Sequence, residues 1–469
     1  MVFSSAAFLF LFLPIVLVGY YLVARWRKLG NLFLTLASLG FYAWGEPTFV
    51  FVMLLSITVN WALGLWVDRT RGDPRRAKGV IALTAVFNLG LLGVFKYLMF
   101  LMESANWAFG LRLPVPQITL PIGISFFTFQ AMSYVIDVYR GKGEVQKSWL
   151  NVCLYISFFP QLIAGPIVRY QTIAHEIEGR RENLTDFVEG VRRFMVGLCK
   201  KVILANNLGM MVDAAFALDS KNLSVVSAWL AACAYLMQVY YDFSGYSDMA
   251  IGLGRMFGFH FLENFNLPFL SKSVAEFWRR WHISLGTWFQ DYLYFPLGGS
   301  RVKTRARLLF NMFMVWFLTG LWHGAAWTYA LWGTGFFVML AVERLSGLGK
   351  WMEKRPVGHF YAMLMVTVIT VMIRSADLNN AWVFYGSMFG VNGARFLDDV
   401  AGIFIREYGW FFLAAVICGL PVRDFLKNRL RVPEGALEIG GAVGLLLLTA
   451  VSISYVAMGS YNPFIYFNF

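Results

Sequence analysis

Long runs of apolar residues alternate with short clusters of basic residues along this 469-residue chain. Four windows, residues 8–23, 80–97, 360–373 and 440–458, are nearly free of charged side chains. Several approach the roughly 20 residues that cross a bilayer core. Because backbone groups in lipid must be hydrogen-bonded within the protein, these windows predict transmembrane helices and an all-α polytopic fold.

The basic clusters predict how the spans are oriented. Cytoplasmic loops carry an excess of Lys and Arg, and the clusters at residues 25–28, 69–78, 140–147, 350–355 and 423–431 fit that side of the membrane if the N-terminus faces out. The pattern predicts about twelve crossings, an even number that also places the C-terminus outside.

Two stretches are predicted not to cross the membrane. Residues 158–168 contain two prolines and a glycine, which favour a re-entrant segment. Residues 264–307 mix charged and aromatic side chains, as amphipathic helices at the cytoplasmic interface do. No linker or repeat divides the chain, so residues 1–469 are predicted to form one membrane domain, in which residues 437–469 are a final span and an extracytoplasmic aromatic tail.

The composition supports a membrane protein. Hydrophobic residues make up 58% of the chain and charged residues 14%, against about 25% charged residues in soluble domains. The net charge of +13 lies in loop-like clusters, which argues against nucleic-acid binding. The four cysteines are scattered, without a CxxC pair, and predict neither disulfides nor a metal site.

His323 has the most unusual surroundings of the five histidines. No charged residue lies between positions 311 and 342. An imidazole in such an apolar stretch needs a partner or a function, because an unpartnered polar group there costs free energy. The two interpretations are a catalytic group and a structural histidine that bonds a neighbouring helix.

His282 follows an aromatic and basic segment. If that segment is a continuous helix, Trp278 and Arg279 share the face of His282. The alternative is an interfacial belt, with tryptophans at the headgroup level and arginines extending toward water.

Asp242 and Asp248 lie in another apolar stretch. Buried acids need cationic or hydrogen-bonding partners, so a structural clasp with a nearby Lys or Arg is the favoured interpretation. Lys200 and Lys201 could supply such a partner or contact an anionic substrate.

The usual hydrolase, zinc-protease and nucleotide-binding motifs are missing. The chain has no HExxH, no GxSxG and no GxxxxGK[ST]. With these motifs absent, a mechanism based on histidine remains. In such a mechanism a neutral imidazole takes a proton from a hydroxyl or thiol that attacks a thioester.

Six short motifs run along the chain: MVFSS at residues 1–5, LPIGISFF at 120–127, IAGPI at 163–167, YDFSGYSDMA at 241–250, FWRRWH at 277–282 and GLWHG at 320–324. In this combination the sequence resembles the membrane-bound O-acyltransferase superfamily, in its bacterial branch of alginate O-acetylation and teichoic-acid D-alanyl transfer proteins. Alginate-type relatives carry another histidine soon after Trp332-Gly333, where this chain reads Thr334-Gly335, so the polysaccharide stays open.

The resemblance implies a ring of tilted helices around a tunnel open to both faces of a bacterial inner membrane. It implies that His323 is catalytic, with His282 as a second functional histidine. Acetyl-CoA would be the donor, with no bound cofactor. A serine-type (SGNH) partner outside the membrane would pass the acetyl group to a polysaccharide. The candidate substrate-binding residues are Arg279, Arg280, Trp322, Asp242, Ser244 and Asp248.

The aromatic C-terminus, residues 462–469, resembles a short motif of cell-envelope acylation systems in which a tyrosine accepts the acyl group. Tyr466 is the matching residue. A histidine base would offset the phenol's unperturbed pKa of about 10. The alternative is an aromatic belt at the outer interface.

Two other functional classes are compatible with a polytopic chain. A transporter would move an acylated carrier without making a bond, but such proteins usually have broken helices in both halves. Here the interruption near residues 160–166 has no evident counterpart in the second half. A scaffold for soluble transferases is the other alternative.

Overall fold

The computed structural model describes residues 1–218 and 223–465. Within these two ranges all regular secondary structure is helical, and no β-strand is formed. The all-α prediction is therefore confirmed for the described part of the chain.

The helices follow one another with short connections. The first eleven are Leu13–Val23 (α1), Arg27–Gly45 (α2), Phe49–Arg69 (α3), Pro74–Leu92 (α4), Leu98–Phe109 (α5), Ile124–Tyr139 (α6), Trp149–Ser157 (α7), Phe159–Leu162 (α8), Tyr170–Gly179 (α9), Leu184–Cys199 (α10) and Asn206–Ala217 (α11). The others are Val225–Met256 (α12), Val274–Arg280 (α13), Ile283–Phe289 (α14), Arg305–His323 (α15), Trp327–Ser346 (α16), Leu348–Glu353 (α17), Val357–Arg374 (α18), Leu378–Met388 (α19), Asp399–Cys418 (α20), Val422–Asn428 (α21) and Glu434–Ala457 (α22). Short π-helical segments occur at Phe8–Phe12, Gly93–Tyr97, Lys200–Ala205 and Gln290–Tyr294, and a 3-10 turn at Pro268–Leu270.

Six helical stretches in the described ranges are long and apolar enough to cross a membrane. They are Phe49–Arg69, Pro74–Phe109, Leu184–Ala217, Val357–Arg374, Asp399–Cys418 and Glu434–Ala457, and Phe8–Val23 is a shorter apolar helix. The larger number of about twelve crossings, which the loop charges predict, stays a prediction.

The chain divides into two compact units. The first unit is Met1–Phe194 with Ser247–Leu262, and the second unit is Met195–Tyr246 with Glu263–Phe469. The single domain over residues 1–469 stays a prediction.

In the first unit, the helix breaks within residues 158–168, as the prolines and glycine predict. One short turn, α8, follows α7, and irregular backbone then leads to α9. The Ser38 hydroxyl accepts a hydrogen bond from the Phe159 amide at 3.1 Å, and the Tyr155 hydroxyl donates one to the Val168 carbonyl at 2.9 Å. The protein interior thus satisfies backbone groups that lipid could not.

In the second unit, α15 and α16 make a close contact through glycines. A Cβ atom on Gly320 would overlap the Tyr329 carbonyl oxygen, and one on Gly333 would overlap the Trp316 carbonyl oxygen. Small residues at such positions let two helix backbones approach each other. The end of α15, at His323, is therefore held against the start of α16.

The carboxylate of Glu343 on α16 holds the start of α13. It accepts hydrogen bonds from the Val274 and Ala275 amides at 2.6 and 2.9 Å. The first amides of a helix have no partner within it, and a carboxylate satisfies them while interacting favourably with the helix dipole. Helix α16 therefore positions both α13 and α15.

We predict that Gly333→Ala destabilises the protein, because the added Cβ has no room beside the Trp316 carbonyl. Overpacking of this kind costs about 1–3 kcal/mol. Thermal unfolding in detergent is the measurement. Gly335→Ala is the matched control on the same helix, since its Cβ would meet the Ile369 side chain at an ordinary 3.4 Å. Equal melting temperatures for the two variants would contradict the close packing.

Candidate functional site

His282 lies in a break between two short helices of the second unit. Helix α13 ends at Arg280 and α14 begins at Ile283. His282 adopts a left-handed backbone conformation, with φ 45° and ψ 53°. The segment is therefore not one continuous helix, and the helical spacing that would place Trp278 and Arg279 on the His282 face does not apply. Unusual backbone conformations of this kind concentrate at functional sites.

The amide side chain of Asn264 sets the orientation of the His282 ring. Its Oδ1 atom accepts hydrogen bonds from the Ser284 amide at 3.2 Å and the Ser284 hydroxyl at 2.9 Å, and lies 3.2 Å from His282 Nδ1. A carbonyl oxygen only accepts, so His282 Nδ1 carries the proton. The neutral ring then has its lone pair on Nε2.

The environment of His282 favours this neutral form. The residue is 1% exposed, and burial lowers the pKa of His282 well below its ordinary value, an effect to which the nearby His323 adds. Its Nε2 atom is buried without a hydrogen-bond partner in the part of the chain that the structure describes. Such an atom is an available proton acceptor.

His323 ends α15 and faces His282. The two ring centroids are 6.4 Å apart. Trp322 lies 5.0 Å from the His323 ring and 6.1 Å from the His282 ring, and Trp332 of α16 lies 5.1 Å from the His323 ring. The structure therefore brings together the two histidines that sequence spacing alone leaves unrelated.

Helix α12 is the third element of this site, after the break between α13 and α14 and the end of α15. The Phe243 ring packs edge-on against the His282 ring, with centroids 4.6 Å apart. Ser244 follows it and is buried, and its hydroxyl has no hydrogen-bond partner among the described residues. The first residues of the YDFSGYSDMA motif thus lie beside His282, as a motif that contributes to a site would.

An apolar cavity opens beside His323. Its walls are mostly apolar, with Trp278, Trp281, Trp332 and Phe336 among them. An apolar and aromatic recess therefore lies next to the imidazole.

Two tryptophans of this cavity have buried indole N–H groups. The Nε1 atoms of Trp278 and Trp332 make no hydrogen bond within the described ranges. A buried donor without an acceptor costs about 1–3 kcal/mol. The cavity wall thus contains donors that a substrate carbonyl could satisfy.

The two arginines of the FWRRWH motif are engaged in ion pairs. Arg279 contacts Glu353 at 2.9 Å, and Arg280 contacts Glu276 at 2.9 Å. Arg279 is exposed, and an exposed pair of this kind is weak, so a phosphate can compete for its guanidinium group. The Arg280–Glu276 pair is half-buried. The role of the two arginines in binding the donor stays a prediction.

The two aspartates of α12 have cationic partners. Asp242 pairs with Lys201 at 2.6 Å in the second unit, and Asp248 pairs with Arg193 at 2.6 Å in the first unit. These contacts are the clasps that burial of the two acids predicts. A substrate-binding role for Asp242 and Asp248 stays a prediction.

Two of the remaining expectations concern a metal site and Tyr466. The described residues contain no group of His, Cys, Asp and Glu that could hold a metal ion. Tyr466 lies outside the described residues.

Comparison with known proteins gives the family. The model of the membrane-bound O-acyltransferase family (MBOAT) matches residues 144–376, a stretch that includes both site histidines. The chain is 40% identical to the probable alginate O-acetylase AlgI of Pseudomonas putida over the full length of both proteins. It is 30% identical to the peptidoglycan O-acetyltransferase of Helicobacter pylori, over 100% of this chain and 98% of that protein. The teichoic acid D-alanyltransferase of Bacillus subtilis is 28% identical to this chain, over 50% of the chain and 60% of the transferase.

The chain belongs to the membrane-bound O-acyltransferase family. The resemblance to the alginate O-acetylation branch, inferred from the six sequence motifs, is confirmed. The protein is therefore an O-acyltransferase and a multi-pass membrane protein, and neither the transporter nor the scaffold alternative is supported.

Sequence reasoning about this O-acyltransferase missed Asn264 and Trp332 as site residues. Asn264 lies 18 positions before His282, and no helical period connects them. Trp332 belongs to the helix after His323 and reaches the ring only because α15 and α16 pack so closely. The sequence contains only a weak signal for Asn264, which is a polar residue in an aromatic, turn-rich segment.

For this O-acyltransferase we predict that Asn264→Ala lowers the rate of acyl transfer between about 10- and 100-fold, because small misplacements of a catalytic group have effects of that size. The measurement is transfer from labelled acetyl-CoA in isolated membranes. Asn311→Ala, at another buried asparagine that bonds the Gly299 carbonyl, is the control. Equal rates for the two variants would show that Asn264 does not position the ring.

Proposed function

We propose that this O-acyltransferase takes an acetyl group from cytoplasmic acetyl-CoA and delivers it across the membrane for O-acetylation of an exported, alginate-like polysaccharide. His323 assists the transfer, His282 supports it, and Tyr466 accepts the acetyl group. The observation that carries the proposal is the pair of buried imidazoles, 6.4 Å apart, beside an apolar cavity.

The first chemical step is an attack by the Tyr466 hydroxyl on the thioester carbonyl carbon. The phenol proton passes to the His323 imidazole as the new carbon–oxygen bond forms. The carbon–sulfur bond then breaks, and the imidazolium returns the proton to the leaving thiolate. General base catalysis of this kind contributes about 10²–10⁴-fold to a rate.

His282 suits a supporting role. Its Nδ1–H bond to Asn264 keeps a lone pair on Nε2, and its low pKa keeps the ring uncharged. A second neutral imidazole can accept a hydrogen bond near the reacting groups without adding positive charge to a buried site. This stabilises the orientation of the groups around the thioester.

The indole N–H groups of Trp278 and Trp332 support the same proposal. Negative charge develops on the thioester carbonyl oxygen as the nucleophile attacks. Preorganised donors at that oxygen stabilise the transition state, and one such donor is worth about 10²–10³-fold in rate in other acyl transfers. Both indoles line the cavity beside His323.

A tyrosyl ester is a reasonable intermediate on energetic grounds. The unperturbed pKa is about 8.5 for a thiol and about 10 for a phenol. Sugar hydroxyls are far weaker acids than either. Since an ester's transfer potential rises with the acidity of its leaving group, acetyl-tyrosine lies between the thioester and the final sugar ester.

The second step needs an acceptor outside the cytoplasm. A serine hydroxyl of an SGNH-type partner attacks the tyrosyl ester, takes the acetyl group and leaves the phenol protonated. The partner then acetylates the polysaccharide. The relatives named as alginate and peptidoglycan O-acetylating proteins support a polysaccharide as the final acceptor.

The proposal requires access from both sides of a bacterial inner membrane. We propose that about twelve tilted helices form one domain around a tunnel, with both termini outside. The CoA phosphates bind Arg279 and Arg280 by displacing their glutamate partners. Trp322, Ser244 and the two α12 aspartates line the path of the acyl group.

His323→Ala tests the catalytic assignment. We expect acetyl transfer from labelled acetyl-CoA to fall about 10²-fold or more, because the base is lost. The control is His359→Ala, which removes an imidazole of α18. Both variants are compared at equal protein levels in membranes. Transfer by the His323 variant at the control's rate would refute the assignment.

Tyr466→Phe tests the relay. The substitution removes only the hydroxyl group and keeps the aromatic ring. We expect acetylation of the polymer to fall at least about 10-fold, since the acceptor oxygen is gone. Tyr455→Phe, on the preceding helix α22, controls for loss of a tyrosine hydroxyl. Unchanged polymer acetylation in the Tyr466 variant would mean that this tyrosine is only an interfacial anchor.

A further inference from the structure

The described end of the chain, residues 461–465, is held by side chains of the second unit. We propose that Lys201, Asp242 and Asn206 form a clamp that binds this terminal segment through its backbone and side chains. On the basis of the relay proposed above, the clamp positions Tyr466 for acylation. The three are positioning residues and do not themselves react.

The centre of the clamp is the buried ion pair of Lys201 and Asp242. Their charged atoms are 2.6 Å apart, and each side chain is 2% exposed. Lys201 Nζ also donates to the carbonyl oxygen of Pro463, and Asp242 Oδ2 accepts from the Ile465 amide at 2.9 Å. One ion pair therefore bonds a carbonyl and an amide two residues apart, which sets the register of the segment.

Side chains along the segment add further contacts. Asn206 donates to the Asn462 side chain at 3.2 Å. The Phe464 ring stacks on Tyr246 with centroids 4.7 Å apart, and Lys201 Nζ lies 5.9 Å from the same ring. Chain termini are usually poorly ordered unless they are tied down. Together with the bonds to Pro463 and Ile465, these contacts tie down four consecutive positions, 462–465.

A network at the start of the segment completes the attachment. The Tyr461 hydroxyl bonds Asp213, whose carboxylate also contacts Arg374 at 2.8 Å. The tail is thus attached at both ends of residues 461–465, to α11 at one end and to α12 at the other. A segment held at both ends has little freedom to shift its register.

Local backbone features place Lys201 opposite Asp242. Lys201 lies in the π-helical segment Lys200–Ala205, between α10 and α11. Gly245, one turn after Asp242, approaches the Gly197 carbonyl so closely that a Cβ there would lie 2.8 Å from its oxygen. π-Helical insertions often occur at functional sites, and here the insertion contains the lysine of the ion pair.

The buried ion pair would add little to the stability of the fold if stability were its only role. Desolvation of two charges offsets much of their attraction, and apolar replacements are often as stable. The pair does, however, bond both a carbonyl and an amide of residues 461–465. Binding of the tail's backbone gives this buried pair a role beyond stability.

The clamp is directly connected to the histidine site. Asp242 precedes Phe243, whose ring contacts His282 at 4.6 Å. The bonded Ile465 amide immediately precedes Tyr466 in the chain. One short stretch of α12 therefore holds the residue before the proposed acceptor and also packs against a site imidazole.

Hydrogen–deuterium exchange of the C-terminal peptide tests the clamp without reference to catalysis. We expect Asp242→Ala to speed exchange at the Ile465 amide at least about tenfold, because its acceptor is lost. The double variant Lys201→Gln with Asp242→Asn keeps both hydrogen bonds without charge and should retain most of the protection. It also shows whether the site folds without the ion pair.

Asp398→Asn is the matched control for this experiment. Asp398 is another hydrogen-bonded aspartate of the second unit, which bonds Ser227 at 2.6 Å and the Ala401 amide at 2.9 Å, away from the tail. Exchange at Ile465 should match that of the unmodified protein. Equal exchange in the Asp242→Ala and Asp398→Asn proteins would overturn the clamp.

Mass spectrometry of the C-terminal peptide after incubation with acetyl-CoA separates the clamp from the relay. We expect Asp242→Ala to lower acetylation of Tyr466 at least about tenfold with little change in the KM for acetyl-CoA, because positioning affects the reacting geometry. Rescue by the double variant would support this. Faster exchange in Asp242→Ala with undiminished Tyr466 acetylation would overturn the positioning role. If Tyr466 is never acetylated in the unmodified protein, the relay is refuted. The exchange experiment alone then decides whether the clamp exists.

Discussion

A polar group buried in an apolar interior must have a partner, and the arrangement of the second unit depends on this constraint. An unsatisfied neutral donor or acceptor costs about 1–3 kcal/mol, and an unpaired buried charge costs more. Asn264 meets this requirement on one side of His282, and Lys201 meets it for Asp242. Several buried polar atoms stay unsatisfied in the described ranges, and His282 Nε2 and the indole N–H groups of Trp278 and Trp332 are the ones at the histidine site that a substrate could satisfy.

The site is assembled from elements that are distant in the chain. Helix α12 contributes Phe243, the break between α13 and α14 contributes His282, and the end of α15 contributes His323. Helix α16 holds two of these elements, through Glu343 at the start of α13 and through the glycine contact with α15. Rigid packing of this kind matters for acyl transfer, because the reacting groups gain rate from being held in place.

The family and the local geometry support the acyltransferase function independently. Membership rests on full-length similarity to O-acetylating proteins, whereas the site shows a neutral imidazole, a facing histidine and an apolar cavity. Arg279 and Arg280, which pair with glutamates, and Asp242, which pairs with Lys201, add charge around this site without leaving it unbalanced. A buried reaction centre of low polarity strengthens the few hydrogen bonds that remain in it.

The sequence by itself determined that the chain is helical, lies in a membrane and belongs to an acyltransferase family, because these properties follow from local composition and short motifs. It also identified His282 and His323 as unusual, since burying an imidazole in an apolar stretch costs free energy wherever that stretch lies. Only the tertiary structure decided that the two rings face each other, that α13 and α14 are separate helices, and that Asn264 sets the tautomer of His282. Those features depend on contacts between residues far apart in the chain, and local periodicity contains no information about such contacts.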